Sequence, residues 1–420
     1  EVPFSQAHKQ PRNQNRTNKA DPHPLSVIRI VDRDGSNPPL KGREIGKRKR
    51  ANMAAAMTTS SEDIEQLLEA MAFKTKIGQL SQVDINLMIN EDKTALRQDL
   101  VDHYIGELAI GSVLNVPSSD FPWNTQDFRK AMAMIQRTAK KHGQPPVIWG
   151  LDSVHGANYV HGRLVTPQPI NLAATFNREH SRMAGVLASQ DTRRAGLNWL
   201  FSPLLGISWE PKWSRVYETF GEDPFVVGEL ALHMTQGIQQ TDDAVVDNNN
   251  SSNNTTTAII PSKAAACAKH FLGYSIPHNG HDRTPSWVPT RHLYQYFLPP
   301  WQKVASEVET VMESYTETDG VPNVANRAAL NGILRHRLGF DGVLVTDYNE
   351  IYNQNEWHGT AESKAAAVLQ SMQEGTVDMS MIPWDADEYL DALKQYHEQS
   401  DISDERIDVS ARRVIELKHR

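Results

Sequence analysis

Six short apolar runs in this 420-residue sequence are each followed by side chains able to do chemistry. Asp152, His155 and Asn158 follow one of them. Trp209, Trp213, Arg215, Tyr217 and Glu218 follow another, and Lys269 and His270 a third. Glu313 and Tyr315, then Asp347, Tyr348 and Glu350, and lastly Asp378 complete the set. Carboxylates and cationic donors hold hydroxyl groups through charge-assisted hydrogen bonds. Indole and phenol rings offer broad apolar faces to the C–H side of a sugar ring. The mixture suits a pyranose. Cleaving a glycoside needs two carboxyl groups, one acting as acid and one as base or nucleophile. The inventory alone does not choose the pair. No Ser sits in a nucleophile elbow, and no Gly-rich loop leads into Lys-Ser or Lys-Thr.

The elements that must position these groups are legible as an alternation. Apolar runs at 110–116, 147–151, 198–205, 264–271, 308–315, 342–345 and 377–382 have the length and β-branched content of buried strands. Amphipathic stretches at 126–142, 178–194, 224–239, 292–307, 326–338 and 362–374 read as helices between them. A helix over 62–77 precedes the first run, and one over 404–418 closes the chain. Strand and helix alternate seven or eight times, the pattern of a parallel sheet with helical crossovers. The fold class expected is α/β, a single-domain TIM-barrel-like (β/α)8 barrel, whose active site lies at the C-terminal strand ends. An open doubly wound sheet is the alternative, weakened because no Gly-rich dinucleotide fingerprint follows any strand.

Composition narrows the function further. Hydrophobic residues make up 39% and charged residues 22%, ordinary for a globular chain. The net charge of −8 is uneven: residues 1–56 hold 12 Lys and Arg against 5 Asp and Glu, which leaves −15 on the rest. An acidic bulk argues against nucleic acid as the main partner. The basic run Lys41-Gly-Arg-Glu-Ile-Gly-Lys-Arg-Lys-Arg50 reads best as part of a solvated, disordered tail over residues 1–60. Residues 247–257 form a low-complexity stretch, expected as a surface loop inside the barrel domain. No apolar run approaches the ~18–20 residues needed to span a bilayer. No apolar h-region of a secretory signal is visible. The lone cysteine, Cys267, excludes an intrachain disulfide and a cysteine-based zinc site.

One segment carries a resemblance. Gly339-Phe-Asp-Gly-Val-Leu-Val-Thr-Asp-Tyr348 resembles the nucleophile segment of glycoside hydrolase family 3, the β-glucosidase family. Further segments resemble the same family in the same order. They are Lys76-Ile-Gly-Gln-Leu80, Gly150-Leu-Asp-Ser-Val-His-Gly156 and Ser214-Arg-Val-Tyr-Glu-Thr-Phe-Gly-Glu-Asp-Pro224. Ala268-Lys-His-Phe-Leu-Gly-Tyr-Ser275, Met312-Glu-Ser-Tyr-Thr-Glu-Thr-Asp-Gly-Val-Pro322 and Val377-Asp-Met-Ser-Met381 follow. The resemblance runs from about Glu62 to the last residue and implies the N-terminal barrel of the family. It implies a retaining double displacement on terminal non-reducing β-D-glucosyl residues, with Asp347 as nucleophile and no cofactor or metal. Asp152, Arg215, Lys269 and His270 would hold the hydroxyls of the sugar being cleaved. Tyr315 would lie beside the nucleophile, and Tyr348 would line the next subsite. The partner implied is a β-glucoside or oligosaccharide. Family members are often secreted, periplasmic or lysosomal.

The resemblance leaves the acid/base residue unassigned. In two-domain members it is a glutamate in an α/β domain after the barrel, and no such segment follows the helix ending at Arg420. A missing domain supplying that group is one expectation. Single-barrel members of β-N-acetylhexosaminidase type use a His in the loop after the Lys-His strand, where His278 and His281 stand. An inactive, sugar-binding barrel is the third reading. Plainer roles also compete residue by residue. Arg215 can pair with Glu218 or Glu222 as a structural ion pair. Asp347 can be a cap or turn residue, with Glu350 the fallback nucleophile. Lys269 and His270 can be a surface lysine beside a core histidine. Asp378 reads equally well as structural. His278, His281 and Asp282 suggest polar loop residues rather than a metal site, for want of a further ligand. Trp199 and Trp301 read as packing.

Overall fold

The computed structural model describes residues 61–117, 122–241 and 261–420. The expected tail and the low-complexity loop lie outside the described residues. Eight parallel strands form one sheet: β1 Ser81–Asp84, β2 Ser112–Leu114, β3 Ile148–Leu151, β4 Trp199–Leu200, β5 Ala265–Phe271, β6 Thr310–Glu313, β7 Val343–Val345 and β8 Ser380–Met381. Neighbours follow chain order from β1 to β7, and β8 pairs with β1. A parallel bridge between Val345 and Met379 joins the sheet's two ends. This is the expected (β/α)8 barrel, with every strand C-terminus on one side.

Seven of these strands fall on the apolar runs read from the sequence. The eighth, β1, does not, because it reads Ser-Gln-Val-Asp and yet all four residues are buried. Its polar side chains find buried partners, Gln82 Oε1 excepted. Gln82 Nε2 donates to Ser112 Oγ on β2 at 2.7 Å, and Ser81 Oγ to the Ile77 carbonyl at 3.2 Å. Hydrogen bonds of this kind offset much of the cost of burying polar groups, and hydropathy carries no trace of them.

The helices begin where local chemistry allows. Thr125–Lys141 starts on a capping box: the Asn124 side chain accepts the Gln126 and Asp127 N–H groups, and Asp127 accepts the Asn124 N–H. Pro224–Ile238 starts on Asp223 with Pro at its first position. The stretch expected as one helix over 62–77 is two, Ser61–Ala70 and Phe73–Gln79. The stretch over 292–307 is broken at Pro299, where Leu293–Phe297 gives way to Pro299–Val304, since proline cannot continue the hydrogen-bond ladder. Arg178–Arg194 and Pro224–Ile238 pack backbone to backbone. A Cβ on Gly237 would lie 2.1 Å from the Arg182 carbonyl oxygen, so only glycine permits that approach.

Candidate active site

A cavity of about 450 Å³ opens at the C-terminal strand ends. Asp152, Arg215, Lys269, His270, Tyr315, Asp347 and Tyr348 all line it. Residues far apart in the chain converge because each follows a different strand of the same barrel.

Asp347 comes two residues after β7. Its own N–H donates to Glu313 Oε1 at 2.9 Å, and its Oδ1 accepts the Tyr348 N–H at 2.8 Å. Its Oδ2 accepts no hydrogen bond, and His270 Nε2 stands 3.3 Å away. Burial pushes the Asp347 pKa above the ordinary carboxylate range. Lys269, Arg215, the Tyr348 N–H and the Tyr315 hydroxyl oppose that rise and favour the charged form. A carboxylate so placed is basic for its type, held on one oxygen and uncommitted on the other.

The cations around it are themselves held. Lys269 Nζ, almost fully buried, meets Asp152 Oδ1 at 2.5 Å. Arg215 grips Glu218 through Nε and Nη2, both at 2.8 Å, while its Nη1 lies 3.3 Å from His270 Nε2. The ion-pair reading of Arg215 therefore holds, and the residue lines the cavity all the same: Glu218 fixes the guanidinium. His270 is no ordinary core histidine. Burial, with the charges of Arg215, Lys269 and Arg283, holds its pKa well below the usual value, so the ring is neutral.

Tyr315 is buried beneath the Arg283 guanidinium, whose carbon lies 3.8 Å from the ring centroid. Tyr348 donates its hydroxyl to Asp84 Oδ2 at 3.3 Å. Asp84 Oδ2 also takes the Asn115 Nδ2 at 2.6 Å, and its Oδ1 takes the Asn86 N–H at 2.9 Å. Sequence reasoning missed Asp84, because its strand is polar, and missed Arg283, because its loop read as plain polar residues. It also passed over Tyr274, although the Lys-His segment contains it. Asp282 Oδ1 accepts the Tyr274 hydroxyl at 2.6 Å and Trp213 Nε1 at 2.8 Å, which braces the cavity wall.

Other candidates lie elsewhere. Glu350 does not line the cavity. It is fully buried, with Oε1 2.7 Å from His358 Nε2 and Oε2 accepting Asn353 Nδ2 at 2.7 Å. Asp378 sits in a buried network with Arg335, Arg413 at 3.0 Å and Ser410 at 2.7 Å. His278 and His281 are exposed and do not line the cavity. Trp199 and Trp301 are packed in the interior. Trp209 packs edge-on against Tyr296, centroids 4.5 Å apart, and does not line the cavity. Among the described residues no three His, Cys, Asp or Glu side chains are grouped to hold a metal ion, and no helix is long and apolar enough to cross a membrane.

The fold and the cavity define a (β/α)8-barrel protein with a buried carboxylate among paired charges at its strand ends. The chain belongs to glycosyl hydrolase family 3: the family model described as the "Glycosyl hydrolase family 3 N terminal domain" matches residues 72–417. A lysosomal beta glucosidase of Dictyostelium discoideum is 36% identical over 392 residues, which span 90% of this chain and 46% of that protein. A periplasmic beta-glucosidase of Salmonella typhimurium is 26% identical, covering 85% of this chain and 41% of its own. Among solved structures, a beta-glucosidase from Listeria innocua in complex with isofagomine superposes with a TM-score of 0.70 at 28% identity, over 86% of this chain and 46% of that one. This chain thus spans about half the length of these relatives.

Proposed function

We propose that this barrel carries the nucleophile and the glucosyl-binding residues of a retaining β-glucosidase. The observation that carries the reading is Asp347: a buried carboxylate with one oxygen pinned by Tyr348 and the other without a hydrogen bond, in a cavity lined by paired charges. The names of the relatives support glucoside as the substrate class.

In this reading the Asp152–Lys269 pair, Arg215 and His270 take the hydroxyls of the terminal glucosyl ring. Charge-assisted bonds made this way are stronger than neutral ones and fix the ring's orientation. Asp347 Oδ2 attacks the anomeric carbon as the bond to the leaving oxygen breaks, which gives a covalent glycosyl-enzyme. Water then releases the sugar. Tyr315 stands beside Asp347 and favours its charged form. Tyr348, held by Asp84, lines the subsite of the leaving group.

The acid/base is assigned outside these residues. Among the described residues, the other carboxylates lining the cavity are occupied: Asp152 by Lys269, Glu218 by Arg215, and Asp282 by Trp213 and Tyr274. A group from beyond the barrel is expected to protonate the leaving oxygen, a contribution of ~10²–10⁴ in rate.

The test bypasses that group. A 2-fluoro glucoside with an activated leaving group should add one 2-fluoroglucosyl mass to the intact protein, located on Asp347 by peptide mapping. Glucose binding without any mass addition would point to a sugar-binding barrel instead. Label on an N-acetylglucosaminide but not on a glucoside, abolished in His278→Ala or His281→Ala, would point to the hexosaminidase type.

A further inference from the structure

Among the described residues, Arg215, Lys269 and Arg283 are the Lys and Arg side chains lining the cavity. Two of them are bonded to carboxylates, Lys269 to Asp152 and Arg215 to Glu218. Arg283 is not: its Nε lies 3.8 Å from Asp282 Oδ2, too far for a hydrogen bond. The Arg283 side chain is nonetheless fixed, with its guanidinium carbon 3.8 Å from the Tyr315 ring centroid. Its backbone is held on either side. Asp282 is bonded to Trp213 and Tyr274, and the Thr284 carbonyl accepts Thr316 Oγ1 at 2.7 Å. Arg283 itself has a left-handed backbone, φ 64°, a conformation uncommon outside glycine and concentrated where ligands are met.

Place in the ring of strands decides what Arg283 can touch. Asp152 follows β3 and Asp347 follows β7, four strands apart in a ring of eight and so directly opposite. A sugar held at one end by Asp152 therefore offers its anomeric end to Asp347. Arg283 stands at that end, over Tyr315, which follows β6, the neighbour of β7. It also stands at the mouth: its side chain is 48% exposed, against 19% for Arg215 and 3% for Lys269. A side chain beside the anomeric end and open to solvent meets the group that leaves, not the ring that stays.

We propose that Arg283 is the residue by which this cavity selects a sugar as leaving group, its paired N–H donors taking neighbouring hydroxyls of the departing ring. This rests on the β-glucosidase reading of the site. A guanidinium is a planar fork of donors, and adjacent N–H groups match two neighbouring oxygens. The charge balance fits a neutral ligand. With the two ion pairs cancelled, Asp282 and Asp347 face Arg283 alone, so an anionic leaving group would meet more like charge than opposite. An apolar aglycone would cover the guanidinium and leave its donors without partners, which is unfavourable. A neutral ring bearing several hydroxyls avoids both penalties.

Sulfur-linked glucosides test this by calorimetry without turnover. The ligands are methyl 1-thio-β-glucoside, phenyl 1-thio-β-glucoside and the tightest-binding S-linked β-glucosyl-glucose. Arg283→Met keeps an apolar stem over Tyr315 and removes the donors. It should weaken the disaccharide roughly ten-fold or more, the scale of lost hydrogen bonds to a charged donor, and move the other two ligands less than about two-fold. Arg283→Lys keeps the charge but not the fork, and should recover only part of the disaccharide affinity. An equal loss for all three ligands in Arg283→Met would make Arg283 a support for the terminal ring. Unchanged disaccharide binding would leave it without a ligand. Either result overturns the proposal while the simple thioglucosides still bind the wild-type chain. If the wild-type chain binds none of the three, the glucoside reading itself falls, and this inference with it.

Discussion

Asp347→Asn should abolish covalent labelling and reduce any glycoside cleavage by on the order of 10⁴ or more, the scale on which loss of a nucleophile is felt. The substitution preserves shape, and the carbonyl can still accept the Tyr348 N–H seen at 2.8 Å. What it removes is the lone pair that would bond to carbon. The same variant should unfold at a higher temperature at pH 7. Burial raises the folded pKa of Asp347. A group with a raised folded pKa favours the folded state below its unfolded pKa, and that contribution is lost as pH rises through the folded value. At neutral pH the ionised carboxylate is therefore a net burden on the fold, and asparagine relieves it. Activity and stability moving in opposite directions separates a functional group from a structural one. Retained labelling in Asp347→Asn, with the site mapped elsewhere, would overturn the assignment. The measurements are intact mass and a thermal midpoint at pH 7.

Asp378→Asn should have the opposite character, with a large loss of stability. Asp378 is fully buried, bonded to Arg335 and Arg413, and it accepts the Leu344 N–H at 2.9 Å. Burial would raise its pKa, but Arg335, Arg413 and Arg406 more than offset that and hold it below the ordinary range. Breaking a buried pair by removing one partner leaves uncompensated charge and typically costs about 3–5 kcal/mol. A loss of that order in urea unfolding is expected for Asp378→Asn, and a loss under about 1 kcal/mol would show the network to be dispensable. Its pH dependence has a definite sign. A depressed folded pKa gives stability that is full above the unfolded value near 4 and lost as pH falls through the folded one. Wild-type protein should thus lose this contribution only below about pH 4. The variant should be flat across that window for this group.

Much of this molecule is determined by sequence order alone. A barrel strand is a short buried run, and the residue that leaves its C-terminal end enters the active-site face. Strand followed by polar side chain is a local pattern, so Asp152, Lys269, His270, Tyr315 and Asp347 could be singled out without coordinates. The alternation with amphipathic helices is local too, and so are the caps at Asn124 and Asp223. What tertiary structure decided is which charges are spent and which are left over. Asp152 and Lys269 are 117 residues apart and meet at 2.5 Å; Asp84 and Tyr348 are 264 apart and meet at 3.3 Å. Pairing at such separation depends on the ring of strands, not on neighbours in sequence. It is also why β1 could hide: its Gln82 and Asp84 are polar in composition but buried and bonded across the barrel. Glu350, three residues from Asp347, stood in sequence as the fallback nucleophile. The fold turns one carboxylate into the cavity and locks the other between His358 and Asn353. Burial and pairing, which no local pattern records, separate the two.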